Sequence, residues 1–155
     1  MKFINSIYDL LLEEVESYRF RLESEDPFLY KYTFQDVIGN EYLVEFKNIS
    51  VNKVGELSNI YELLYYVKDK ENYTVYKIVN VNPYRVIKTV FGDIVNDFSN
   101  RCRFVKEIFF VGLAKEREKE YVTSRTRIYK RYLDMNPPEG FRVRQNGNLI
   151  QLRRI

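Results

Sequence analysis

The sequence predicts an α+β fold: a largely antiparallel sheet with two or three packed helices and a C-terminal β-hairpin. Three observations carry this. Between residues 18 and 78, aromatic and β-branched residues are dense and alternate with polar ones, the period-two pattern of half-buried strands. Over 82–98 and 124–133, apolar residues recur instead at helical spacing. Asn146-Gly147 then lies between two alternating apolar stretches, a strong signal for a tight hairpin. A length of 155 residues, 45% hydrophobic and 30% charged, suits one globular domain over 1–155.

Residues 3–16 read as an amphipathic helix with Ile4, Ile7, Leu11 and Val15 on one face. Glu13, Glu14 and Glu16 oppose its dipole, so the chain is expected to leave the helix quickly. Tyr18, Phe20 and Leu22 alternate with Arg19, Arg21 and Glu23 as a first strand, closed by the turn Glu25-Asp26-Pro27. Tyr30, Tyr32 and Phe34 share one face of a second strand over 29–35. After Ile38-Gly39-Asn40, Tyr42, Val44 and Phe46 share a face of a third, giving an antiparallel meander. Residues 48–59 lack periodicity and read as a loop. Residues 60–67 and 73–79 read as a pair of strands joined through Lys68-Asp69-Lys70-Glu71-Asn72.

Asn82 is a good N-cap and Pro83 suits a first helical position, where a missing N–H costs nothing. Val86, Ile87, Val90, Phe91, Ile94 and Phe98 then form one stripe. Gly92 within it costs about 1 kcal/mol against alanine, which predicts a close approach by another element. The run Ile108-Phe109-Phe110-Val111 reads as a strand covered on both faces. Thr123-Ser124 caps a further helix with Ile128, Tyr129, Tyr132 and Leu133 inward, and Pro137-Pro138-Glu139-Gly140 breaks it. A type I′ loop at Asn146-Gly147 sets Val143 opposite Ile150 and Phe141 opposite Leu152. Arg142, Arg144, Gln151 and Arg153 then share the other face.

Composition removes several chemistries. Histidine is absent and Cys102 is the only cysteine, so there is no internal disulfide, no ordinary zinc site and no His-dependent catalysis. The expectation is no catalytic residue, no metal and no cofactor. No apolar run reaches 18 residues, so no membrane span is expected. Met1-Lys2 leads into an acidic helix rather than a signal-peptide core, and a cytoplasmic location, in a host or a virion, is the expectation. Residues 1–78 carry a charge of −5 and residues 79–155 a charge of +8, which predicts a basic face from the C-terminal half.

The candidate binding patch joins Arg125, Arg127, Lys130 and Arg131 on the last helix to Arg142, Arg144, Arg153 and Arg154 on the hairpin. Guanidinium groups take phosphates or carboxylates through paired hydrogen bonds. The same arginines could instead pair with the acidic half of the chain or with Glu116, Glu118 and Glu120. Residues two apart on a helix lie about 200° apart, so Arg125 and Arg127 cannot point the same way. The inward phase of Ile128 and Tyr132 makes Arg125 the more buried, held by a carboxylate or carbonyls. A weaker pattern, Asp36 followed by Glu45-Phe46-Lys47, has the acid-plus-lysine composition of metal nucleases, though Asp36 also opens a turn. Asp93 and Asp97, four apart, could ligate a metal but read first as the solvated face of their helix; Cys102, between Arg101 and Arg103 whose charges would lower a thiol pKa, reads first as a small buried or loop thiol.

The run from Asn82-Pro83 through Val86-Ile87-Lys88-Thr89-Val90 and Phe98 to Gly112 and Ser124-Arg125-Thr126-Arg127-Ile128-Tyr129 resembles a family of small uncharacterised proteins of bacteriophages and Bacteroidetes-type bacteria. Their pattern is an "LATV"-like helix, a strand ending in glycine and an "RTRLY"-like helix. The likeness covers about residues 82–133. It implies a shared α+β fold and a phage or mobile-element origin, and it supplies no activity. Leu113 to Val122, inserted between the glycine and the arginine motif, departs from the pattern. The functional expectation is a non-catalytic binding or assembly protein, phage-encoded, engaging a virion component, a host protein or copies of itself. Nucleic-acid binding through the basic half is the alternative, followed by a metal-dependent nuclease.

Overall fold

The alternation over residues 18–46 builds three consecutive strands, β1 (Phe20–Asp26), β2 (Leu29–Gln35) and β3 (Glu41–Asn48), paired antiparallel as a meander. β4 (Ile60–Asp69) continues it, and β5 (Asn72–Thr74) turns back on the end of β4. β6 (Glu107–Val111) lies parallel to the start of β4. The C-terminal β7 (Phe141–Asn146) and β8 (Leu149–Arg154) complete a sheet ordered β1-β2-β3-β4-β6-β8-β7. The computed structural model describes residues 16–49, 56–69, 72–74, 83–112 and 121–155. Nearly all of the helix expected over 3–16, the Asn82 cap, the expected strand beyond Thr74 and most of the insertion 113–122 lie outside them.

Two helices among the described residues cover one face of this sheet. Helix α1 runs as Pro83–Ile87, a π-helical stretch Lys88–Ile94, and Val95–Arg101. The wider π turn was not legible in the 3.6-residue stripe. It buries Thr89, Val90, Phe91, Gly92 and Ile94 together, a broader face than one α-helical stripe offers. Thr89 joins the helix to the start of the meander, since its Oγ1 accepts the Tyr18 N–H at 2.8 Å and donates to the Arg85 carbonyl at 2.7 Å. Phe98 is fully buried, stacked on Phe46 with ring centroids 4.0 Å apart and edge-on to Tyr30 and Tyr61 at 4.9 and 5.0 Å. A buried side chain of this size contributes about 1.5–3 kcal/mol through apolar burial. Asp97, expected on a solvated face, accepts the Tyr32 hydroxyl at 2.8 Å and the Arg101 guanidinium at 2.7 Å, whereas Asp93 is exposed.

Helix α2 (Ser124–Met135) buries Thr126, Tyr129, Tyr132 and Leu133. The close approach expected at Gly92 is to this helix: a Cβ there would collide with the Tyr132 hydroxyl. A buried polar knot fixes the start of α2. Thr123 Oγ1 caps it by accepting the Thr126 N–H at 3.1 Å and donates to the Gly112 carbonyl at the end of β6. Asn148 Oδ1 accepts the Thr123 N–H at 2.9 Å and the Thr126 hydroxyl at 2.6 Å, and its Nδ2 donates to the Tyr121 carbonyl at 2.8 Å.

That knot corrects the hairpin. The loop is Gly147-Asn148, not Asn146-Gly147, so Val143 pairs with Leu152 and Phe141 with Arg154. Gly147 takes φ +59, and placing Asn148 in the loop lets its amide reach Thr123 and Thr126. Moving a two-residue loop by one position shifts the register by two. Each residue therefore keeps its face: Phe141, Val143, Ile150 and Leu152 point to the helices and Arg142, Arg144, Gln151 and Arg153 away from them.

Candidate functional site

The sheet face opposite the helices has a regular charge pattern. Lys31 stands opposite Glu45 and Lys47 opposite Glu62 in neighbouring strands. Lys68 pairs with Glu41 at 3.1 Å. Glu107 on β6 accepts the Arg153 Nε–H at 2.8 Å and lies 3.5 Å from Gln151 Nε2. Each charged side chain on this face of β2, β3, β4, β6 and β8 is thus balanced by a neighbour of opposite sign.

The balance fails at β7. Arg142 stands directly opposite Arg153, and Arg144 follows two residues along, about 7 Å away on the same face. Arg142 and Arg144 are exposed, with no ion-pair partner among the described residues. Like charges directly opposite one another destabilise a sheet. Glu107 relieves Arg153 alone. Arg142, Arg144, Arg153, Arg154 and Ile155 line a shallow recess of about 350 Å³ at this end of the sheet.

The structure divides the predicted basic patch. Arg154 is a structural residue: its Nε donates to the Val105 carbonyl at 2.8 Å and its guanidinium lies 4.6 Å from the Phe141 ring centre. The helical residues Arg125, Arg127, Lys130 and Arg131 belong to α2, on the other face of the sheet from Arg142, Arg144 and Arg153. Lys130 is bound to Asp134 at 2.7 Å. Arg125 is half-buried and Arg127 exposed, the predicted order. Among the described residues no carboxylate or carbonyl holds Arg125. Its charge lies beside the directly hydrogen-bonded hydroxyls of Tyr65 and Tyr129. Burial pushes both phenols up, and Arg125 partly offsets the rise.

The nuclease-like residues are not brought together. Asp36 locks the β2–β3 turn: Oδ1 accepts the N–H groups of Ile38 and Asn40, and Oδ2 accepts the Asn40 amide and Tyr42 hydroxyl at 2.8 and 3.0 Å. Burial alone would raise its carboxyl, but these hydrogen bonds prevail and leave it below the usual range. Glu45 and Lys47 lie on the outer face with their cross-strand partners. Among the described residues no three acidic or cysteine side chains converge on a cation position. Cys102 is buried, and burial raises its thiol despite the arginines beside it in sequence.

Among the described residues no helix is long and apolar enough to cross a membrane. The chain matches no protein-family model, no curated protein and no solved structure.

Proposed function

We propose that this chain is a non-catalytic binding or assembly protein that meets an anionic partner through the outer face of its C-terminal hairpin. One observation carries the reading. Arg142, Arg144 and Arg153 are held side by side on a sheet face where the charges of β2, β3, β4 and β6 each have a neighbour of opposite sign. A like-charged cross-strand pair costs stability, so its gain lies in something outside the fold. The sequence resemblance supports a bacteriophage setting, with a virion component or host protein as partner. A labelled glutamate oligomer is the probe. It is expected to bind at low salt, to release as salt rises, and to lose affinity in Arg142→Glu and Arg144→Glu but not in Arg127→Glu. Unchanged binding by the two hairpin variants would refute the reading.

Arginine at all three positions also favours a second reading, contact with a nucleic-acid backbone, since guanidinium groups take phosphate oxygens in bidentate fashion. Two or three phosphate contacts on duplex DNA predict a log–log salt slope of about −2 to −3.

A further inference from the structure

We infer that the open edge of β7 accepts an extended acidic segment of a partner protein as an added strand. This rests on the anionic-partner reading above and adds the mode of recognition. In an antiparallel ladder, alternate residues turn their backbone groups to the same neighbour. The two-residue loop makes Asn146 and Leu149 a hydrogen-bonded pair. At the other end the Ile155 N–H donates to the Gly140 carbonyl at 2.8 Å, in the same phase. Arg142, Arg144 and Asn146 therefore direct their N–H and C=O to β8, while Val143 and Gln145 direct theirs away from the sheet. The Phe141 N–H also points away and is taken by the Pro138 carbonyl at 3.0 Å, which closes that end of the edge. No backbone partner for Val143 or Gln145 on that side exists among the described residues.

An open edge of this kind is a template for strand addition. The side chains beside it set the partner's chemistry. Arg142 and Arg144 on one face call for acidic residues at alternate positions, and half-buried Val143 on the other face calls for small apolar residues between them. A second copy is a poor occupant. Two β7 edges paired with each other would set arginine against arginine. The opposite edge of the sheet, β1, carries Glu23, Glu25 and Asp26 beside Arg21, but these acids are engaged within the chain, Glu23 by the Thr33 hydroxyl, Glu25 by Arg101 and Asp26 by the Phe28 N–H, and a register break between Leu22 and Ser24 interrupts the edge. The fitting occupant is an alternating acidic and apolar segment of a different protein.

The test uses an alternating Glu-Val octapeptide, the same peptide N-methylated at alternate amides, the glutamate oligomer and a short DNA duplex. Gln145→Pro removes one outward N–H and puts the ring where the added strand would lie, leaving the β8 ladder intact. It is expected to weaken the alternating peptide about tenfold or more while leaving the glutamate oligomer bound. The N-methylated peptide is expected not to bind the wild-type chain, which keeps the test decisive should Gln145→Pro fold poorly. Equal affinity of Gln145→Pro and wild type for the alternating peptide, or of the two peptides for wild type, would overturn strand addition. So would a duplex that binds more tightly and ignores Gln145→Pro. Loss of the glutamate oligomer in Arg142→Glu alongside a neutral Gln145→Pro would keep the arginine face and reject the added strand.

Discussion

Gly112→Ala tests the junction that sets the hairpin in place. In open space the change would stabilise the chain by about 0.4–1 kcal/mol, because alanine restricts the unfolded state. Here the new Cβ would overlap Thr126 Oγ1 and stand 3.0 Å from both the α- and β-carbons of Thr126. Rotating a side chain does not move a backbone atom, so the first turn of α2 must shift off β6. That movement costs about 1–3 kcal/mol as overpacking. It also strains the bonds of Thr123 to the Gly112 carbonyl and of Thr126 to Asn148, each worth about 1 kcal/mol. The net expectation is a loss of about 2–4 kcal/mol. For a chain of this length that is a fall of about 10 °C in melting temperature, read by calorimetry or circular dichroism. Adding Thr126→Ala removes the hydroxyl but leaves the backbone of residue 126 in the way, so the double variant is expected to recover only part of the loss. A Gly112→Ala protein that melts with the wild type would show that β6 and α2 do not pack this closely.

Asp36→Asn is expected to lower stability by about 1–3 kcal/mol at neutral pH, since an amide cannot accept all four of the hydrogen bonds that converge on the carboxylate. The native carboxyl lies below its ordinary value of 3.8, so its contribution is full above that value and is lost as pH falls through the folded-state pKa. The gap in urea midpoints between variant and wild type should therefore hold above pH 3.8 and shrink as the pH falls further, and a constant gap would refute the assignment. Arg125→Ala is expected to cost about 1 kcal/mol, or about 2–4 °C, through lost packing of its half-buried stem, whereas Arg127→Ala leaves the melting temperature in place; the reverse order would refute the helix phase.

What the sequence made legible follows from periodicity. Two-residue alternation assigned Tyr30, Tyr32, Phe34, Tyr42, Val44 and Phe46 to one buried face, and all six are there. The hairpin's faces were likewise legible, because parity survives a loop misplaced by one residue. Its register was not, because the residue that chooses the loop, Asn148, bonds to Thr123 and Thr126, 25 and 22 positions away. The π segment of α1 escaped for a related reason: its cause is the shape of the surface it packs on, and Thr89 owes its buried place to Tyr18, 71 residues earlier. The phase of α2 was read well enough to rank Arg125 and Arg127. What surrounds Arg125 depended on Tyr65 from β4, which no local pattern reports.

The same alternation decides which candidate sites exist. A strand sends successive side chains to opposite faces, so groups gather into one site only where parity, pairing and register agree. Asp36 turns inward to Tyr42 while Glu45 and Lys47 turn outward, and the acid-plus-lysine pattern comes apart. The RTRIY arginines lie on the helix side and the hairpin arginines on the other, so one basic patch becomes two. Agreement holds for Arg142, Arg144 and Arg153. Even spacing along β7 and a direct opposite in β8 place three guanidinium groups together, with Glu107 next in line on β6. That carboxylate fixes Arg153 and leaves the excess charge on the outermost strand. There an incoming partner meets no further strand of this chain among the described residues. The binding surface is therefore placed by strand parity, and its charge by where compensation stops.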